Sequence, residues 1–220
     1  MNWLMIDGAR ITKCNTSSAT AEFLLNSFRG VHMRAKIAHW NEFARTRYEK
    51  KVAELRYLAP ARLGQIMQGF VKEGEEVLDL GCGTGLLGLN MSPSRIVIDG
   101  IDFSEEMAKK AKERGYRDIV VANLEQKSLH EIPELHGRKY PVIISCGVYG
   151  DFVDYRWLSE AFKFGQERLT LGLAGCNKSM PGISTWLREQ GFHLYHLSIR
   201  EGQHLEDGTR IDYSYVVAKR

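Results

Sequence analysis

Five short apolar runs recur along the middle of the chain: Val77–Leu80, Ile96–Ile101, Ile119–Ala122, Val142–Ser145 and Leu169–Ala174. Runs this short, without strict alternation, suit strands covered on both faces, and helix-compatible segments between most of them suit the crossovers of a parallel sheet. Two later runs differ. Phe192–Ile199 and Ile211–Val217 are joined by about ten residues containing Asp207-Gly208, and the second alternates Ile211, Tyr213, Tyr215, Val217, which predicts an antiparallel hairpin at the end of the sheet. Helical patterns cover 19–28, 31–55 and 59–70, with Pro60 marking a helix start, then 155–164 and 181–190, the last stopped by Gly191. Residues 1–18 are polar and read as loose. The pattern predicts a seven-stranded α/β sheet in residues 71–220, preceded by a helical extension, residues 1–70, packed on it as a cap.

The first strand carries the most chemistry. Residues 76–85 read Glu-Val-Leu-Asp-Leu-Gly-Cys-Gly-Thr-Gly, and an apolar helical segment (Leu86, Leu87, Leu89) follows at once. Glycines permit positive φ and let a ligand approach the backbone without a Cβ in the way. The spacing is G-x-G-x-G, not the G-x-G-x-x-G that cradles a pyrophosphate at a helix N-terminus. Asp79, two residues before Gly81, would repel a pyrophosphate but favour a ligand carrying an ammonium and a sulfonium. A tight turn of any α/β protein would use the same glycines.

Asp102 ends the second strand, 17 residues after Gly85, where an acid can accept hydrogen bonds from ribose hydroxyls or serve as a solvated cap. Asp99 lies inside that strand, too early for the same role. Ser104 followed by Glu105-Glu106 predicts a capped helix start. The third strand ends in Asn123-Leu124, an amide and an apolar group suited to an adenine ring or to an ordinary loop. The fourth opens into Cys146-Gly147-Val148-Tyr149-Gly150-Asp151 at the edge where open sheets bind ligands.

Residues 76–150 resemble the class I S-adenosylmethionine-dependent methyltransferases, through VLDLGCGTG, DGIDFSEEM, VANL and VIISCGVYG in that family's order and spacing. The upstream run HWNEFARTRYEKKVAELRYLAPARL resembles the corresponding segment of small methyltransferase-like proteins of the Williams–Beuren-region group. The resemblance implies a Rossmann-like seven-stranded sheet with a C-terminal antiparallel hairpin. The implied cofactor is S-adenosylmethionine, leaving as S-adenosylhomocysteine. Gly81, Gly83 and Gly85, with Cys82 as the small side chain among them, would then line the methionine portion, and Asp79 would help hold the amino group. Asp102 would take the ribose hydroxyls, with Phe103 beside the adenine and Asn123 and Leu124 flanking it. Cys146 would lie near the methionine end, and Tyr48 would close over the cofactor. The chain departs from the family in three places. Pro141 replaces an acid before the fourth strand, the Pro-Gly-Gly turn before the fifth is absent, and no Asn-Pro-Pro-aromatic signature of amino-methylating enzymes follows the fourth.

Global properties narrow the partners. Lys+Arg 30 against Asp+Glu 27 gives +3, too balanced for a nucleic-acid surface. Four cysteines without a C-x-x-C pair argue against structural zinc and a disulfide framework, and fit a reducing, cytoplasmic setting. No signal peptide or membrane span is indicated. A sulfonium methyl is already activated, so the protein must align a nucleophile and exclude water, with a base needed only for some acceptors. Tyr149 and Asp151 are the favoured base candidates, ahead of Asp154, His39 and His204. Aromatic residues in the extension favour a small, moderately apolar or planar acceptor. The competing expectations are a methyltransferase-fold protein that binds the cofactor without methylating, as a cyclase would, and an enzyme acting on protein side chains.

Overall fold

The computed structural model describes residues 4–6, 9–11, 33–91, 95–124, 132–149, 154–155, 158–177, 180–204 and 207–220. Strands β3 (Glu76–Leu80), β4 (Val97–Asp102), β5 (Asp118–Val121), β6 (Tyr140–Cys146), β7 (Gly165–Cys176), β8 (His193–His204) and β9 (Arg210–Lys219) form one sheet in the order β5-β4-β3-β6-β7-β9-β8. The pairs from β5 through β7 are parallel, whereas β9 runs antiparallel to both β7 and β8. Strand order reverses between β3 and β6, and ligands of open α/β sheets bind outside the carboxyl ends at such a point.

Alternation along the strands divides the core. Leu78 and Leu80 face a cluster with Ile143, Leu171, Leu173 and Val216, covered by Ile183 and Leu187 of α7 (Ile183–Glu189). Val77, Val142, Ile144 and Val217 face the opposite cluster, covered by Leu63 and Met67 of α3 (Ala59–Met67) and Leu87 and Met91 of α4 (Leu86–Met91). The last turn of α3 packs closely because Gly172 leaves the space that Met67 fills. Thus α3 is part of the core, and the segment lying over the ligand edge is the preceding one, α1 (Met33–Thr46) and α2 (Tyr48–Glu54).

The structure refines several boundaries. The single helix expected over 31–55 is broken at Arg47, whose φ of −150° and ψ of −2° are not helical. The hairpin strands are longer than their apolar runs, shortening the connection to residues 205–209. β7 starts at Gly165, so Gln166–Arg168 belong to the strand. The helix expected over 155–164 contracts to α6 (Leu158–Ala161) and a 3-10 turn, Phe162–Phe164. β1 (Leu4–Ile6) and β2 (Ala9–Ile11) pair antiparallel within the segment read as loose, with Asp7-Gly8 as the sequence signal between them. The helix expected over 19–28 lies outside the described residues.

Three helices stop in the same way. After α2, Tyr57 N–H donates to Val52 O and Arg56 N–H to Ala53 O, both at 3.0 Å. After α5 (Glu105–Glu113), Tyr116 N–H reaches Ala111 O and Gly115 N–H reaches Lys112 O. After α7, Phe192 and Gly191 repeat the pattern with Leu187 and Arg188. These are Schellman endings, each turning an aromatic residue inward and each needing a left-handed residue. Gly115 (φ +94°) and Gly191 (φ +83°) supply it without strain, whereas Arg56 adopts φ +46° with a Cβ. Replacing exposed Arg56 with Gly should therefore stabilise the fold by up to about 1 kcal/mol. A rise in the thermal midpoint of Arg56→Gly checks this; a fall would show that the arginine side chain outweighs its backbone strain.

Candidate functional site

Backbone amides tie the glycine turn to the tip of β4. Gly81 N–H and Cys82 N–H both donate to Ile101 O, at 2.8 and 3.0 Å. Gly83 N–H donates to Asp102 Oδ2 at 2.9 Å, and Asp102 Oδ1 accepts Ser104 N–H at 2.9 Å. Ser104 caps α5 as expected, accepting Met107 N–H, and its hydroxyl donates to Asn41 Oδ1 of α1 at 2.7 Å. One short acidic tip thus fixes the turn, starts a helix and sits beneath the N-terminal extension.

The glycines, expected together along the ligand, do separate work. All three have positive φ, +71°, +53° and +82° for Gly81, Gly83 and Gly85. A Cβ on Gly81 would strike Val148, and one on Gly85 would lie 3.0 Å from Ala111 Cα and Tyr116 Cε2. Only at Gly83 would it point to the roof, 3.9 Å from Tyr48 Oη.

Asp79 is buried on β3, opposite Gly100 of β4. Its Oδ2 accepts the Tyr116 hydroxyl at 2.6 Å, and that same hydroxyl accepts Gly88 N–H at 3.2 Å. Burial pushes the Asp79 carboxyl up to about 7, against the Tyr116 hydrogen bond and with the help of the Asp102 charge. Asp102 is pushed up to about 6, again by burial, against the amides of Ser104 and Gly83. Burial and these two carboxylates also push the Cys82 thiol well up, so it is a packed neutral group against Gly100 and not a nucleophile.

The opposite end of the sheet provides a control. Asp99 is as inaccessible to solvent but less deeply desolvated, and hydrogen bonds from Arg117 and Tyr140 and the charges of Arg117 and Arg138 outweigh burial and hold it below the usual carboxylate range. Arg117 Nε, Arg138 Nη1 and Tyr140 Oη approach it at 2.9, 2.9 and 2.8 Å. That cluster is internally paired.

Aromatic side chains roof the carboxyl edge. Trp40 and Phe43 of α1 meet Tyr48 at ring-centroid distances of 6.5 and 5.6 Å, and Trp40 meets Phe103 edge-on at 6.4 Å. Burial and the neighbouring Cys146, Asp102 and Glu49 push the Tyr48 phenol well up, so its hydroxyl stays protonated above the turn. Tyr57 covers Gly147 (φ +70°), with its hydroxyl 3.7 Å from Cys146 Sγ and its ring 6.0 Å from that of Tyr213. Leu58 N–H donates to Gly202 O at 2.6 Å and His204 N–H to Leu55 O at 2.7 Å, joining the extension to β8. Arg62 adds a bond to Glu201 O at 2.6 Å.

The remaining sequence-derived candidates divide. Phe103, Asn123 and Cys146 are partly exposed near the edge, whereas Leu124 is buried in a core cluster with Ile132 and Leu135. Tyr149 is 2% exposed in that cluster, and burial pushes its phenol well up, a poor setting for a general base. Asp151 lies outside the described residues. Asp154 is exposed, His39 stacks on Phe43, and the His204 ring pairs with Glu201. Tyr116 is the addition, and Tyr57, one of the aromatic residues expected to roof the site, gains a definite place beside Cys146. Their position just after a helix stop was a usable signal, since a Schellman ending sends that residue inward. Among the described residues no helix is long and apolar enough to cross a membrane.

Residues 77–164 match the methyltransferase domain family. A ubiquinone biosynthesis O-methyltransferase of Coxiella burnetii is 29% identical over 93 residues, covering 42% of this chain and 39% of that protein. A tRNA1(Val) (adenine(37)-N6)-methyltransferase of Yersinia enterocolitica is 30% identical over 84 residues, 36% of this chain and 34% of that one. The chain therefore spans little more than a third of the length of these relatives. Among solved structures, magnesium protoporphyrin IX methyltransferase of Synechocystis PCC 6803 with bound SAM superposes with a TM-score of 0.53 at 16% identity, over 91% of this chain and 92% of that one. A SAM-dependent methyltransferase of Methanosarcina mazei gives 0.55 at 16% identity, over 70% and 96%. The fold is the seven-stranded Rossmann-like sheet of class I methyltransferases with its C-terminal antiparallel hairpin. The upstream segment likened to the Williams–Beuren-region group lies outside the matched residues.

The raised Asp79 carboxyl gives a signed prediction. A folded value near 7 against an ordinary 3.8 means that the folded state binds the extra proton between those limits, so ligand-free stability falls as pH rises through that window. Asp79→Asn keeps an acceptor for Tyr116 and removes the charge. It should stabilise the ligand-free protein at pH 8 by up to about 4 kcal/mol, with the gain vanishing near pH 4. Urea unfolding at both pH values checks this, and equal stability of the two proteins at pH 8 would refute it.

Proposed function

We propose that this chain, whose residues 77–164 match the methyltransferase domain family on a class I methyltransferase fold, binds S-adenosylmethionine and transfers its methyl group to a small-molecule acceptor. The observation that carries the reading is the pair of buried carboxylates, Asp79 and Asp102, raised by burial and joined to a turn whose Gly83 leaves space beneath Tyr48. Such groups favour a cationic ligand that restores their ionised form. When bound, S-adenosylmethionine supplies an electrophilic methyl on a sulfonium. Asp79 would face its ammonium, and Asp102 its ribose hydroxyls. Phe103 and Asn123 would bound the adenine, and Gly83 and Cys146 the methionine portion, with Tyr48 as cover, while Gly81, Cys82 and Gly85 would shape the turn from behind.

Acceptor alignment falls to the groups beside Cys146. Tyr57 and Tyr213 wall that side, and the backbone bonds to Gly202 and Leu55 hold the wall in place. A walled, aromatic approach suits a compact organic acceptor better than an RNA or protein surface. Four cysteines without a C-x-x-C pair fit a reducing, cytoplasmic setting. With Tyr149 in the core, Tyr57 is the described hydroxyl best placed to hydrogen-bond an acceptor nucleophile.

The protein incubated with methyl-labelled S-adenosylmethionine and a metabolite extract, total RNA or total protein should deliver label to the small-molecule fraction. Label confined to RNA or protein would overturn the acceptor class, and label nowhere despite cofactor binding would overturn methyl transfer. Asp102→Ala should weaken cofactor binding at least tenfold, since a charged hydrogen bond contributes about 1.5–3 kcal/mol. Calorimetry at pH 8 measures the change.

A further inference from the structure

Tyr116 has a place in the site that no motif assigns. It is buried, 3% exposed, and its ring occupies space left by three glycines at once. A Cβ on Gly85 would lie 3.0 Å from Cε2, one on Gly88 2.6 Å from Cε2 and 2.8 Å from the hydroxyl, and one on Gly100 3.0 Å from Cδ1. Part of the glycine pattern therefore accommodates this ring. The Gly115 turn after α5 delivers it, through the Tyr116 N–H to Ala111 O bond.

Its hydroxyl is used in both directions. It accepts Gly88 N–H, one of the first-turn amides of α4 that lack an intrahelical partner, and donates to Asp79 Oδ2. Asp79 Oδ1 takes no hydrogen bond from a described residue. We propose that Tyr116 is a positioning residue for the cofactor, clamping Asp79 by one oxygen and fixing it to α4 so that the other is presented to the ligand's ammonium. The inference rests on the cofactor reading above.

The clamp sets ionisation as well as direction. Asp79 faces Asp102 on β4, the Cys82 thiol in the turn and the Tyr116 hydroxyl. Of these, the Tyr116 donor alone favours the carboxylate, while the Asp102 charge and burial oppose it. Removing that donor leaves Asp79 more readily protonated. A neutral Asp79 attracts an ammonium only as a dipole.

Calorimetric titration of wild type and Tyr116→Phe with S-adenosylmethionine and S-adenosylhomocysteine from pH 5.5 to 8 separates the possibilities. The acid limb of binding should move up by about one pH unit in Tyr116→Phe, with roughly fivefold weaker binding at pH 7 and about twofold at pH 8. Asp79→Asn and the double variant Asp79→Asn/Tyr116→Phe complete the cycle. If Tyr116 acts through Asp79, adding Tyr116→Phe to Asp79→Asn should move no acid limb. A loss that is equal at every pH, or that persists in the Asp79→Asn background, would mean that Tyr116 merely packs and would overturn the inference. Absence of heat with wild type sinks the cofactor reading itself, a distinct result.

Discussion

Two carboxylates buried side by side at the carboxyl ends of β3 and β4, with no lysine or arginine among the described residues paired to either, govern the rest of the structure. Burying a charge is costly unless hydrogen bonds or a counter-charge compensate it. The protein compensates only in part, with two amides on Asp102 and one phenol on Asp79. Both groups consequently stay protonated more readily than free carboxylates, and a cation bound at this edge, as proposed above, would favour their ionised forms.

Asp99 shows that the deficit belongs to this edge. It lies on the same strand as Asp102, as inaccessible to solvent as Asp79 but less deeply desolvated, and the chain surrounds it with Arg117, Arg138 and Tyr140. One end of β4 is electrostatically complete and the other is left open. A uniform rule that buried acids are tolerated does not produce that contrast. The proposed site for a positive ligand would produce it, because ligand-free stability is lost where charge is held ready for binding.

Much of this was legible in the chain. Short apolar runs place all seven strands of the sheet, and the turn signal Asp207-Gly208 between the last two marks the hairpin. The alternation in Ile211–Val217 does not reflect one covered face, since β9 is buried on both faces from Tyr213 to Ala218. Asp102 and Ser104 were equally legible, since a strand tip followed by a cap and acids is a local signal. Tertiary facts were not. Pattern could not show that Tyr149 turns into the core instead of toward the edge, or that Arg47 breaks the long helix, because each depends on neighbours far away in sequence. Nor could it apportion the glycines: Gly81, Gly83 and Gly85 look equivalent in VLDLGCGTG, yet their missing side chains face Val148, Tyr48 and Tyr116.

The acceptor half of the site obeys a different logic from the cofactor half. The matched span, residues 77–164, contains the glycine turn and both carboxylates but neither Tyr48, Tyr57 nor Tyr213. Relatives named for a ubiquinone precursor pathway and for a tRNA base align with stretches of similar length and identity. The proposed cofactor would explain such matching, because the same cation would be held whatever receives the methyl. Discrimination between acceptors must then reside where the chain leaves that span, in the aromatic roof of α1 and α2 and in the end of the β8–β9 hairpin to which backbone bonds fasten it. The carboxyl end of β7 leaves little chain for a lid, only Asn177–Pro181 before Gly182 begins α7. On the proposed function, an acceptor would therefore meet side chains set by the packing of the extension against the hairpin, and its identity would depend on Tyr57 and its neighbours more than on the glycine turn.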